Sequence, residues 1–212
     1  MPSTQSHQLD HQYEAVKQVA LADRLLITKS DLVSNTAALE ARLRRLNPGA
    51  RIERVMHGEI DPAGLFGAGL VDPEKKAVDV ARWLNEQAFA GSREPAHEHH
   101  GHAHHHAHHS HDASITSFML AFDEPLDWMA VSHWLAYLRS VRGEDLLRVK
   151  GILNLRGEQT PVVIHGVHHV FHPPVALPEW PDADRRSRIV FITRGIARQE
   201  VLALWQAGRA AA

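Results

Sequence analysis

Residues 18–32, QVALADRLLITKSDL, decide the fold of the first half of this chain. Val19 to Leu21 close a stretch beginning at Gln8 in which Leu9, Tyr13 and Val16 recur at helical intervals, so a helix precedes the strand-like run. Arg24 to Thr28 is a short apolar run with Leu25, Leu26 and Ile27 in succession, the pattern of a buried strand, and Thr28-Lys29-Ser30-Asp31 is the polar turn that leaves it. Further on, Ser34 or Asn35 caps a helix whose Leu39, Leu43 and Leu46 share one face, and Asn47-Pro48-Gly49 ends it. Arg51 to Met56 then alternates as a strand. Helix, strand, helix, strand in this order is the trailing part of an α/β unit with a parallel sheet. Asp72-Pro73 supplies an N-cap and a first-turn proline for one more helix through Val78, Ala81, Leu84 and Ala88.

Beyond this point the pattern breaks and then changes. Residues 91–112, GSREPAHEHHGHAHHHAHHSHD, carry no apolar periodicity to offset the entropy of ordering them, and read as a flexible His-rich linker. After it, Ile115 to Phe122 alternates as a strand and Trp128 to Val141 is an amphipathic helix. Leu146 to Leu155 and Val162 to Phe171 are two more strands with Gly157 at the turn between them. Pro173 to Pro181 is a loop, Arg188 to Ile192 a fourth strand, and Arg198 to Ala207 a closing helix. The order predicts a small α+β domain with helices on one face of an antiparallel sheet. The expected organisation is therefore an α/β unit over 1–91, a linker over 92–112 and an α+β domain over 113–212.

Composition removes several classes of function. With 23 basic and 25 acidic residues the formal charge is -2, so a nucleic-acid partner is not expected. No apolar run approaches the roughly 20 residues that span a bilayer, and residues 1–10 lack the pattern of a signal peptide, so a cytoplasmic protein without a membrane partner is expected. The absence of cysteine leaves His, Asp and Glu as the metal ligands at hand. The anomaly is histidine: of 18 in the chain, ten lie between His97 and His111.

A polar turn after a buried strand is where nucleotide-binding α/β domains place the loop that reads guanine. Reading guanine needs a carboxylate to accept from N1 and N2 and a lysine stem to lie over the base, and this turn holds Lys29 and Asp31, as an ordinary surface turn after a strand often does. The whole segment from Gln18 to Leu32 resembles the guanine-specificity segment of the CobW-type GTPases, a family of metal-handling P-loop proteins. The tail is similar to the C-terminal domain of the same family, in order and spacing: Leu147 to Leu153 (LRVKGIL), Val163 to Val167 (VIHGV), Trp180, and Arg188 to Arg194 (RIVFITR). The resemblance runs from about Glu14 to Ala207. It implies Thr28, Lys29 and Asp31 as nucleotide contacts, GTP as the family's nucleotide, and zinc or cobalt delivered to a client protein. No glycine-rich loop ending in Gly-Lys-Thr or Gly-Lys-Ser occurs in these 212 residues, and neither does the family's Cys-x-Cys-Cys motif. The chain thus looks like the C-terminal portion of such a protein, unable to hydrolyse GTP alone. Its partners would be the metal-dependent client and a separately encoded P-loop fragment.

Imidazole ligates Zn²⁺, Co²⁺, Ni²⁺ and Cu²⁺, so the metal-ligand candidates are His97, His99, His100, His102, His104, His105, His106, His108, His109 and His111. A second group, His165, His168, His169 and His172, does not suit one ion on a continuous strand. His165 and His169 would then share a face but lie about 13 Å apart at roughly 3.3 Å per residue, so core or surface strand positions are expected. His57 follows a strand at the rim where the family closes its nucleotide pocket, and a plain loop histidine fits it equally. Arg148 and Lys150 share one strand face, either as an anchor for a partner or, the reading the pattern favours, as a solvated face. The five tryptophans read as core and interface residues. No nucleophile, base and acid are spaced as a catalytic set, so no catalytic residue is assigned. The expected function is a metallochaperone of CobW type with a guanine loop and a metal-collecting linker. The alternative is a non-enzymatic metal buffer or interaction module that has lost nucleotide binding.

Overall fold

The computed structural model describes residues 9, 12–33, 35–65, 80, 83 and 114–210. Helix α1 (Tyr13–Leu21) buries Val16 and Ala20 and leads into strand β1 (Arg24–Thr28), as the periodicity predicts. A 3-10 turn follows (Ser30–Leu32), then helix α2 (Ala37–Leu46), which begins where the Asn35 side chain accepts from the Ala37 amide at 2.8 Å. Strand β2 (Arg51–Val55) pairs parallel with β1 in register Arg24↔Arg51 to Thr28↔Val55. Val16, Ile27, Leu43 and Leu46 form the core between these strands and their helices. A one-turn helix, α3 (Pro62–Leu65), closes the stretch. Of the helix expected over 72–88, Val80 and Trp83 are described, and both are helical. The His-rich segment 92–112 lies outside the described residues.

The larger sheet takes its order from long-range pairing. Strands β3 (Ile115–Phe122), β4 (Leu146–Leu153), β5 (Val162–Val167), β6 (Val170–Phe171) and β8 (Ser187–Arg194) lie in the order β3-β8-β4-β5-β6, and β7 (Val175–Ala176) pairs with β5. All these pairings are antiparallel. The last strand thus inserts between the first two. Helices α4 (Trp128–Arg142) and α5 (Arg198–Ala210) cover one face; Asp127 caps α4 by accepting from the Ala130 amide at 2.9 Å. Odd residues of β8 point to these helices: Phe191 stacks on Phe118 at 5.5 Å and meets the Trp134 ring at 5.8 Å. Each such fully buried large side chain contributes about 1.5–3 kcal/mol.

Even residues of the same strand face the first unit. Val190 packs with Val80 and Trp83, and Ile192 with Ala20 and Leu147. The Ser117 hydroxyl donates to the Leu46 carbonyl at 2.8 Å, and Arg194 reaches the Tyr13 hydroxyl at 2.8 Å. Both faces of β4 and β8 are therefore covered. Every β8 residue except Arg194 is buried, and every β4 residue except Lys150.

Three sequence readings change. The loop expected over Pro173 to Pro181 carries strand β7 (Val175–Ala176), drawn into the sheet by its pairing with β5. The solvated face expected for Arg148 and Lys150 is instead packed: Arg148 is 7% exposed, because that side of β4 meets α1. The single strand expected over Val162 to Phe171 is broken at His168-His169, where a left-handed His168 (φ 51°) turns the chain into a hairpin. A period-two pattern runs through a two-residue turn unchanged, so the break left no trace in the alternation.

Candidate functional site

The carboxyl ends of β1 and β2 lie side by side, the place where parallel sheets present ligand-binding loops. Thr28 ends β1, Lys29 follows in the left-handed conformation (φ 56°), and Asp31 sits in the 3-10 turn that the Leu32 amide closes on the Lys29 carbonyl at 3.1 Å. All three side chains face solvent or its margin, with no ion pair or side-chain hydrogen bond among the described residues. An unengaged lysine and carboxylate two residues apart on a strained turn can meet a purine from two sides. His57, also left-handed (φ 50°), follows β2 and comes to the same rim. These residues suit the base of a guanine nucleotide. They do not suit its phosphates, because the chain holds no glycine-rich loop of the GxxxxGK[ST] type to present backbone amides.

The opposite end of β1 is held by a charge cluster that the sequence pattern did not disclose. Asp23, immediately before β1, binds Lys150 Nζ at 2.5 Å and the Arg148 guanidinium through the same carboxylate oxygen. Arg148 also donates to the Leu21 carbonyl. Burial pushes the Asp23 carboxyl up, but the charges and hydrogen bonds of Lys150 and Arg148 outweigh it and hold it below the usual carboxylate range. Burial lowers the Arg148 pKa, and Asp23 opposes that. Asn47 completes the clamp by donating to the carbonyls of Val19, Ala20 and Ala22 at 2.8 to 3.2 Å, satisfying the end of α1. Asp23, Asn47, Trp83, Arg148, Lys150 and Val190 line a small cleft between the two halves. An anchor for a partner was one of two readings for Arg148 and Lys150, and what they hold is the chain's own first half; nothing local distinguished Asp23 from a surface acid.

The ten linker histidines lie outside the described residues. Among the described residues no group of three or more His, Asp or Glu side chains is placed to hold a metal ion. The second histidine group is split by the hairpin. His168 has its Nε2 buried without a hydrogen-bond partner, and burial holds its pKa down, helped by the Lys17 charge. His169 lies against Gly143 at the end of α4. His165 and His172 come opposite one another, the His172 amide donating to the His165 carbonyl at 2.9 Å.

Two parallel strands with their helices, docked through a charge cluster onto an antiparallel sheet with two helices, define an α/β unit fused to an α+β domain. Residues 115–209 match the family described as the cobalamin synthesis protein cobW C-terminal domain. The second half of the chain is thus a CobW C-terminal domain, and the chain is related to the CobW-type proteins along most of its length. It is 30% identical over 189 residues to the zinc chaperone YjiA of Escherichia coli (strain K12), covering 89% of this chain and 52% of that protein. It is similar in structure to zinc-bound YjiA GTPase from E. coli (TM-score 0.67, 26% identity), and to a zinc-bound triple mutant of YjiA GTPase (TM-score 0.67, 27% identity). Each comparison covers 96% of this chain and 57% of the other. The chain spans about half the length of the relatives it matches. Among the described residues no helix is long and apolar enough to cross a membrane.

Proposed function

We propose that this chain serves zinc or cobalt handling of the CobW type, contacting guanine through Thr28, Lys29 and Asp31 and collecting metal on His97 to His111. The observation that carries the proposal is the free presentation of Lys29 and Asp31 at the carboxyl end of β1, in a chain homologous to a zinc chaperone. In this reading the metal ion is cargo, passed to a metal-dependent client protein in the cytoplasm. GTP hydrolysis belongs to assemblies that also contain a phosphate-binding loop, because base contacts leave the β and γ phosphates without donors. A separate P-loop polypeptide is the partner proposed for the first unit. Leu26 (37% exposed), Leu32 (74%) and Val33 (40%) give it an apolar surface beside β1 to cover.

Two titrations test the reading. The chain is expected to take up more than one divalent ion at neutral pH and fewer at mildly acid pH, since protonated imidazole does not ligate. Serine replacement of the ten linker histidines should remove most of that uptake; unchanged stoichiometry would sink the collector role. The second reading, a metal buffer or interaction module without nucleotide binding, is favoured by the absent phosphate loop. It predicts no guanine-nucleotide affinity even when a P-loop fragment is supplied.

A further inference from the structure

Helix α4 has two unlike faces. Val131, Trp134, Leu135 and Leu138 are buried against the sheet. The outer face is not the charged surface that a solvated helix ordinarily turns to water. Met129, Tyr137 and Val141 are 49% to 57% exposed, and with the exposed His133 they follow one another at intervals of four residues, forming one ridge. The contrast with α2 is direct. That helix carries Glu40, Arg42, Arg44 and Arg45 within 10 residues, whereas α4, with 15, holds no acid and no lysine and only Arg139 and Arg142 as fixed charges. Arg142 is committed to Glu200 at 3.3 Å and to the Gly195 carbonyl. Arg139 has no ion pair or side-chain hydrogen bond among the described residues, and neither have Asp123 and Glu124 in the turn that enters α4.

We propose that this face is a contact between two copies of the chain, their α4 helices packed antiparallel about a two-fold axis near His133. The distribution of charge selects this occupant. The amino-terminal end of the ridge is acidic, with Asp123, Glu124 and Asp127, and the free cation, Arg139, lies toward its carboxyl end. A parallel pairing would set like charges together. An antiparallel one sets each Arg139 beside the acidic turn of the other copy, and the helix dipoles are opposed in the same arrangement. One surface that offers both signs at its two ends satisfies both pairs at once across a two-fold axis. Placing Arg139 opposite the partner's Asp127 sets the register: His133 falls on the axis, and Met129 lies against the partner's Tyr137, a thioether on an aromatic ring.

The size of the ridge sets the strength of the contact. Met129 to Val141 spans roughly 18 Å at about 1.5 Å per residue. A single helix pair of that length buries less than the roughly 1,600 Å² of a standard stable interface, so the dimer is weak and exchanging. It is also compatible with the other surfaces of the chain. Helices α4 and α5 cover one face of the antiparallel sheet and the first unit covers the other, so pairing through α4 leaves Leu26, Leu32 and Val33 beside β1 uncovered.

The test is sedimentation equilibrium of the full chain with EDTA present, so that histidine-bound metal does not bridge copies. A monomer–dimer equilibrium with a dissociation constant of about 0.1–1 mM is expected for a contact of this size. Tyr137→Gln and Met129→Gln, at exposed positions that leave the core untouched, should each weaken it about tenfold. Arg139→Glu should weaken it about fivefold, and adding Glu124→Arg should recover most of the loss. The chain has no cysteine, so His133→Cys introduces a single thiol. Mild oxidation should convert that variant to a disulfide-linked dimer faster than it converts Leu32→Cys. A chain that stays monomeric at 1 mM overturns the proposal, as does a charge swap that recovers nothing. Association that survives Tyr137→Gln but falls with Leu32→Ser overturns it too, and assigns self-contact to the rim beside β1.

Discussion

Replacing Asp23 by alanine tests whether the buried charge cluster holds the two halves together. Asp23 retains 40% of its side-chain exposure, and an acid that exposed ordinarily costs less than about 1 kcal/mol to remove. The prediction here is larger. Its partners are far less exposed, 9% for the Arg148 side chain and 15% for Lys150, and both bind the same carboxylate oxygen. The two cations therefore lie within about 5 Å of one another, where an effective dielectric near 20 gives a repulsion of roughly 3–4 kcal/mol. Lys150 has a flexible stem and can swing toward water, recovering part of this; Arg148, tied to the Leu21 carbonyl, cannot. The expected loss is about 2–3 kcal/mol for Asp23→Ala. In Asp23→Ala/Arg148→Met the cost should fall below that of the single acid variant, since the stranded guanidinium is gone. Urea unfolding followed by tryptophan fluorescence measures both, with Trp83 lining the same cleft as reporter. The folded-state pKa of Asp23 is depressed, so its contribution is fully present above the ordinary carboxylate pKa and is lost as pH falls through the lower folded value. Stability of Asp23→Ala should accordingly depend less on pH below about 4 than that of the wild type. A loss under 0.5 kcal/mol, or a double variant worse than either single one, would refute the reasoning.

Three further outcomes follow from the same geometry. Amides of Leu25 to Ile27, in a two-stranded sheet, should exchange faster than those of Val190 to Ile192, which lie between two strands and under two covered faces; equal strong protection in hydrogen exchange would contradict this. The purified chain should show no Mg²⁺-dependent GTP turnover and at best millimolar guanine-nucleotide affinity, and turnover abolished by Asp31→Ala would overturn the reading. Gly166→Ala should displace the Phe171 ring, which lies 2.8 Å from the new methyl, and cost about 1–3 kcal/mol; a thermal midpoint within a degree of wild type would show that the hairpin yields freely.

Local pattern was sufficient wherever one element's own residues set its structure. The run Arg24 to Thr28 is β1 at the predicted bounds, α2 has its N-cap at Thr36, one residue past the expected Asn35, and stops at the expected Asn47, and Gly157 turns with φ 89° between β4 and β5. The turn Thr28 to Asp31 was legible too, because a polar stretch after a buried apolar run leaves little choice of place. What the sequence did not carry is who faces whom. Arg148 and Asp23 are 125 residues apart, and an alternating strand pattern reads the same whether its polar side meets water or a carboxylate on another helix end. His165 and His172 became neighbours only when a left-handed turn at His168 folded one apparent strand into two. Periodicity reports the direction of side chains along a single element; the partners on the far side are fixed by packing, and that information exists only in the tertiary structure.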